Sequence, residues 1–251
     1  MKSSREQKTN ESILELDAGN TRLKWRVLRD GRVADAGYLI NSDSWRVQLP
    51  VLLERLGTID FARASVVSGS RRKELLASII SEGLGVDIKF ASPVKRWKTL
   101  EVSYQEPGKL GVDRWLAMLA AHHEGGARVK LVVDCGTALT LDVVDARGRH
   151  LGGYIVPGLD MMKKSLQLNT AHLMLYEDPV ATIAPGRATR DCINQGILSM
   201  AVSLINTQAK MYPGALVFLA GGDAGQVESY IESEKIFCPD LVMDGLKLAF
   251  D

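Results

Sequence analysis

One pattern is written twice in this chain, about half the chain apart: an apolar strand ending in an aspartate, a turn with Gly and Thr, and a second strand. Leu14 to Arg32 reads LELDAGNTRLKWRVLRDGR and Leu131 to Arg149 reads LVVDCGTALTLDVVDARGR. The two share the order strand, Asp, Gly, Thr, strand. Two such hairpins in one chain of 251 residues are the mark of a duplicated fold.

The text between them agrees. Ile13 to Leu16, Leu23 to Leu28 and Val33 to Leu39 read as a meander of three antiparallel strands, joined by the Gly19-Asn20 and Asp30-Gly31 turns. Helical spacing follows from Ser44 to Leu56 and from Arg71 to Glu82, alternating with strands at Ala64 to Val67 and Val86 to Phe90. Pro93 to Gly111 is irregular and leads into a helix from Asp113 to about His123. The plan then repeats, with strands at Leu131 to Val133, Leu139 to Val144 and Arg149 to Val156. Helices are expected from the Pro157-Gly158 turn to Leu168, Thr189 to Met211, Ala224 to Ser233 and Leu241 to Phe250, with a strand at Ala215 to Ala220. This order predicts an α/β chain of two ribonuclease-H-like halves, residues 13–112 and 113–251, with a ligand cleft between them. Residues 1–12, polar throughout, read as a disordered extension.

Composition narrows the classes. A chain of 27.4 kDa buries roughly three quarters of its unfolded surface, enough for two small cores. A net charge of +1 supplies no basic field for nucleic acid or anionic lipid, so any anion is captured locally. Cys135, Cys192 and Cys238 have neither disulfide parity nor CxxC spacing, which fits a reducing cytoplasm, and no apolar run reaches the ~20 residues of a membrane span. P-loop, protein-kinase and HExxH motifs are absent.

Chemistry concentrates in a few places. In Asp17-Ala18-Gly19-Asn20-Thr21, backbone amides, two side-chain donors and Lys24 on the next strand form a seat for phosphate oxygens, with Asp17 able to hold Mg²⁺. Taken alone, a solvated hairpin turn explains the same residues. Asp134-Cys135-Gly136-Thr137 supplies the same chemistry again, which favours the pair as anion nests for a nucleotide triphosphate. Cys135 reads as a space-filling small hydrophobe. Asp113, opening a helix with Arg114 beside it, suits an N-cap and a general base equally. In the second role, Arg114 would hold a substrate carboxylate or phosphate in bidentate fashion. Gly221-Gly222-Asp223 is either a ligand-approach turn or a plain strand-to-helix turn, and Thr189 is expected as an N-cap. His122 and His123 read as solvated helix-end residues.

Together these motifs resemble type III pantothenate kinases, in the superfamily of acetate kinase, sugar kinases, heat-shock ATPases and actin. The resemblance spans nearly the whole chain after Ser12. It rests on DAGNT at Asp17 to Thr21, GVDRW at Gly111 to Trp115, the block from Asp134 to Leu159, and GGD at Gly221 to Asp223. It implies ATP-dependent phosphorylation of pantothenate, the first step of coenzyme A synthesis. It places ATP-Mg at Asp17, Ala18, Gly19, Asn20, Thr21, Arg22, Leu23 and Lys24, with Thr137, Gly221, Gly222 and Asp223. Pantothenate would meet Tyr104, Gly111, Val112, Arg114 and Thr189, with Asp113 as catalytic base. Asp134 would hold a monovalent cation, K⁺ or NH₄⁺. The resemblance also implies a cytoplasmic homodimer with a shared substrate pocket, Thr189 contributing in trans. The chain departs from the family at Met174, where Pro is usual, and at Ala220, where Thr is frequent. A non-catalytic regulatory protein on the same scaffold, as the older family name Bvg accessory factor suggests, and a related sugar kinase or phosphatase are the competing readings.

Overall fold

The computed structural model describes residues 11–40, 45–67, 69–169 and 182–251. The expectations for residues 1–10, for Ser44 as a helix start and for Met174 lie outside them. The chain forms two compact units. One comprises the chain up to Pro93 with Gly111–Asp113 and Ala249–Asp251, the other Val94–Leu110 and Arg114–Leu248.

In the first unit, β1 (Ser12–Ala18), β2 (Arg22–Arg29) and β3 (Arg32–Ile40) form the meander, followed by α1 (Trp45–Leu56), β4 (Phe61–Val66), α2 (Ser70–Leu84) and β5 (Ile88–Phe90). The sheet order is β3-β2-β1-β4-β5, antiparallel across the meander and parallel from β1 through β4 to β5. The period of two along a strand sends Leu14, Leu16 and Ala18 to one face, with Leu23, Trp25 and Val27 of β2 and Ala62, Ala64 and Val66 of β4. Leu76, Ile79 and Ile80 of α2 recur at helical spacing and join that core, each buried side chain contributing about 1.5–3 kcal/mol. α2 ends where Gly85 enters the left-handed region (φ 68°) and donates its N–H to Ser81 O at 2.9 Å.

After two short paired strands, β6 (Arg96–Trp97) and β7 (Leu100–Glu101), the helix α3 (Val112–Glu124) begins. The second sheet follows: β8 (Lys130–Cys135), β9 (Ala138–Val144), β10 (His150–Pro157), then α4 (Leu159–Asn169), α5 (Thr189–Met211), β11 (Leu216–Ala220), α6 (Ala224–Glu228), β12 (Lys235–Phe237) and α7 (Leu241–Phe250). Its order, β10-β9-β8-β11-β12, repeats the first sheet strand for strand. Leu131, Val133, Leu139, Leu141 and Val143 pack against Ile197, Leu198, Ala201, Val202 and Ile205 of α5.

Three details differ from the sequence expectations. The helix at Ala224 stops at Glu228, and the chain then forms β12, whose Ile236 and Phe237 pair with Phe218 and Leu219. β1 starts at Ser12, whose N–H donates to Asp60 Oδ2 at 2.8 Å. His122 is no solvated helix-end residue: its Nε2 contacts Thr99 Oγ1 at 2.9 Å and its Nδ1 lies 3.2 Å from Lys130 Nζ.

Candidate active site

Asp17 stands one residue before the end of β1, on the face opposite the core. Antiparallel pairing sets it across from Lys24, and parallel pairing sets it beside Ser65. The rung below on that face is Glu15, paired with Arg26 and Arg63 and bonded to both. Arg63 Nε reaches Glu15 Oε1 at 2.8 Å, Arg26 binds Oε2, and all three side chains are buried. A buried carboxylate between two guanidiniums resists reorganisation, so this rung fixes the strands that carry Asp17 and Lys24.

The turn is closed by Gly19 N–H donating to Arg22 O at 3.1 Å. Arg72, on α2, donates from Nη1 to Gly19 O at 3.2 Å and lies over the Trp45 ring. Sequence reading passed over Arg72. Its signal is Arg71-Arg72-Lys73 in the first turn of α2, where the helix dipole disfavours cations. Asn20 and Thr21 are exposed, whereas Ala18 and Leu23 lie in the core and can offer a nucleotide only backbone.

In the second unit, Asp134 likewise stands one residue before the end of β8, across from Thr140 and beside Ala220. Thr140 takes the place that Lys24 has in the first sheet, so this turn gains no cation there. Gly136 N–H donates to Ala138 O at 3.1 Å, closing this turn as Gly19 closes the other. Both glycine amides are thus spent within their turns, which leaves anion donation to the residues that follow.

Two further segments converge on it. Gly158 N–H donates to Thr137 O at 3.0 Å, and a Cβ at Gly158 would overlap the Gly136 and Thr137 carbonyls. Asp223 N–H donates to Cys135 O at 2.9 Å, and Gly221, at φ 93°, lies so close that a Cβ would overlap the Cys135 carbonyl and the Asp134 carboxylate. Asp134, Thr137, Gly221, Gly222 and Asp223 therefore form one cluster, with Thr137 exposed at its mouth. Burial, then the charges of Asp134 and Asp223, push the Cys135 thiol up to about 12, which makes it the inert small hydrophobe expected.

α3 begins at Val112, so Asp113 lies in its first turn rather than at the N-cap, half-buried, while Val112 is buried. Arg114 turns inward at 7% exposure. Its Nε and Nη2 fork grips Asp142 at 2.8 and 2.5 Å, and Nη1 donates to the Tyr104 hydroxyl at 3.0 Å. Burial opposes the charge, yet the bonds and charge of Asp142 outweigh it and hold the guanidinium above its ordinary range. The expectation of a bidentate Arg114 grip on substrate is therefore corrected: Asp142 already occupies that fork, and Arg114 stands beside Tyr104. Asp142 and His150, whose Nε2 lies 2.9 Å from Asp142 Oδ1, were not foreseen as site residues.

Thr189 is exposed and is the first residue of α5. The N-cap is Ala188, without a side-chain cap, so Thr189 is not a capping residue. Among the described residues, no group of three or more His, Cys, Asp or Glu is placed to hold a metal. A cation at Asp17 or Asp134 would complete its shell with phosphate, backbone or water oxygens, the donors hard cations take. No helix among the described residues is long and apolar enough to cross a membrane.

The family model of type III pantothenate kinase matches residues 13–211, a stretch holding both aspartate turns, Tyr104, the Asp113-Arg114 pair and Thr189. The chain belongs to the type III pantothenate kinase family. The type III pantothenate kinase of Alcanivorax borkumensis is 35% identical over 241 residues, covering 94% of this chain and 97% of its own. That of Pseudomonas aeruginosa strain LESB58 is 36% identical over 247 residues, with 94% and 98% covered. Among solved structures, a Campylobacter jejuni protein assigned to the Baf family of transcriptional activators matches with a TM-score of 0.62 at 21% identity, covering 94% of this chain and 96% of its own. A Sinorhizobium meliloti protein assigned as a 2-dehydro-3-deoxygalactonokinase matches at 0.60 and 13%, with 95% of each chain covered. At these identities the structures speak for the fold alone. Two α/β sheets of one topology, in a kinase family, make this an actin-like ATPase fold.

Proposed function

We infer that the protein phosphorylates pantothenate on its primary hydroxyl at the expense of ATP, the first step of coenzyme A synthesis. The observation that carries this reading is the family match running unbroken through every proposed site segment up to Thr189. ATP would be held by the turn from Asp17 to Lys24, by Thr137 and by Gly221 to Asp223. ATP supplies the phosphoryl group and Mg²⁺ neutralises charge on it when bound, with Asp17 as the protein's carboxylate for that ion. Asp134 would take K⁺ or NH₄⁺, in keeping with a carboxylate oxygen and the Cys135 carbonyl oxygen that both lie against Gly221.

Phosphoryl transfer asks the protein for position and charge rather than covalent help. Lys24, with Arg72 beside the same turn, supplies fixed positive charge. Asp113 accepts the proton of the attacking hydroxyl. Tyr104 and Arg114 would give the acceptor a polar wall, and Gly111 and Val112 would meet it as the family resemblance implies. Thr189, exposed at the start of α5, would complete the pocket of a second copy in a cytoplasmic homodimer. The duplicated halves proposed to share this work are residues 13–112 and 113–251, with Val94–Leu110 packed in the second compact unit.

The test is ATP-dependent phosphorylation of pantothenate by purified protein, with and without K⁺, against a panel of sugars. K⁺-dependent 4′-phosphopantothenate is the expected product. Turnover of a sugar alone, or ATP binding without turnover of any acceptor, overturns the reading.

A further inference from the structure

We propose that Asp142 and His150 are positioning residues for the acceptor alcohol, setting Tyr104 and Arg114 through a chain of hydrogen bonds that a ring stack closes. This rests on Tyr104 and Arg114 facing the acceptor. The circuit runs entirely within the second unit. Arg114 Nη1 donates to the Tyr104 hydroxyl at 3.0 Å, and its fork binds Asp142. Asp142 Oδ1 accepts from His150 Nε2 at 2.9 Å. His150 Nδ1 lies 3.2 Å from Ser103 Oγ and 3.5 Å from Ser103 N, and its ring stacks on Tyr104 with 13° between planes. Because a backbone N–H can only donate, Nδ1 accepts from Ser103 and Nε2 carries the proton that Asp142 accepts. The loop is closed: Tyr104, Arg114, Asp142, His150 and back to Tyr104.

The fold goes to some length to assemble it. Along β9, Leu141 and Val143 enter the core, so Asp142 and Val144 face the other way. β10 carries a one-residue irregularity between His150 and Gly152 that sets His150 opposite Val144, where regular pairing would set Leu151. The bulge thus turns His150 onto the face of Asp142. Gly153, directly opposite Asp142, leaves the room needed: a Cβ there would overlap Asp142 Oδ1 and come within 3.0 Å of Arg114 Nη2. Asp142 is 1% and His150 3% exposed, so neither meets a ligand directly. What they govern is the angle of the Tyr104 ring and of the Arg114 Nη1 group, and hence how the acceptor sits.

The test compares wild type, His150→Phe and His150→Gln. Phe keeps a flat ring against Tyr104 but removes the donor to Asp142, whereas Gln restores an N–H and removes the ring. His150→Phe should raise KM for pantothenate about tenfold, the scale of one lost hydrogen bond, with KM for ATP unchanged. His150→Gln should recover part of that loss. A wild-type KM for pantothenate in folded His150→Phe overturns the proposal, and so does an equal loss for both substrates, which a merely structural role would give. If wild type prefers another alcohol, the functional reading fails while the same comparison, made with that alcohol, still decides this one.

Discussion

Asp113 lies half-buried in the first turn of α3, next in sequence to a guanidinium that binds Asp142, and it is the carboxylate proposed to take the proton of the acceptor alcohol. Asp113→Asn should leave thermal unfolding unchanged and lower kcat by about 10² or more, the scale of a lost general base, as steady-state assays with pantothenate would show. Near wild-type turnover would remove Asp113 from that role. At the far end of the same helix, Lys130 Nζ donates to Gly126 O at 2.6 Å and can only donate to His122 Nδ1, so His122 is held neutral. Burial, then the charge of Lys130, lowers the His122 pKa below 6.5, with Asp145 opposing. Below 6.5 the unfolded chain takes up a proton that the folded chain resists, so stability falls as pH drops through that value and is untouched above it. Thermal melts between neutral pH and about pH 5 should show a drop that is smaller in His122→Gln. An identical slope in the two proteins would count against the His122–Lys130 contact.

Among the elements, the polar rung on β1, β2 and β4 governs the first turn. Glu15 is fully buried between Arg26 and Arg63, and Arg63 also stacks on Phe250 and approaches Asp251 at the chain end. Removing the carboxylate takes from two buried cations the counter-ion they share. Glu15→Ala should therefore cost about 3–5 kcal/mol in denaturant unfolding, as for breaking other buried ion pairs from one side. A loss below about 1 kcal/mol, the range of surface pairs, would show that water reaches this rung. In the second sheet the corresponding position is Val132, and the buried charge moves instead to Asp142 on β9. The duplication preserved topology and let the polar chemistry of each half diverge.

For the whole molecule, the prediction concerns assembly. If Thr189 completes the pocket of a second copy, Asp113→Asn and a bulky Thr189→Trp should each be inactive alone, while mixed and re-equilibrated dimers should regain activity at hybrid sites. Sedimentation should give a dimer mass. A fully active monomer, or no recovery in a mixture of proven dimers, would confine Thr189 to its own chain.

Much of this was legible in the sequence because it is local. The alternation of Leu14, Leu16 and Ala18 with Glu15 and Asp17 fixes a half-buried strand, and its echo at Leu131 to Asp134 fixes the duplication. The turns at Gly19 and Gly136 and the helix from Asp113 follow from neighbours a few residues away. β12 escaped notice because Lys235-Ile236-Phe237 has too little text to set a period and becomes a strand only beside β11. Arg72, Asp142 and His150 escaped because their partners are distant in sequence: Gly19 lies 53 residues from Arg72, and Asp142 lies 28 from Arg114. Local sequence is enough to say which residues can carry charge to a turn or a helix start. Which charges meet is settled by the packed fold, since a buried ion needs a partner at hydrogen-bond distance, and sheet register, one bulge and the missing Cβ of Gly153 supply it.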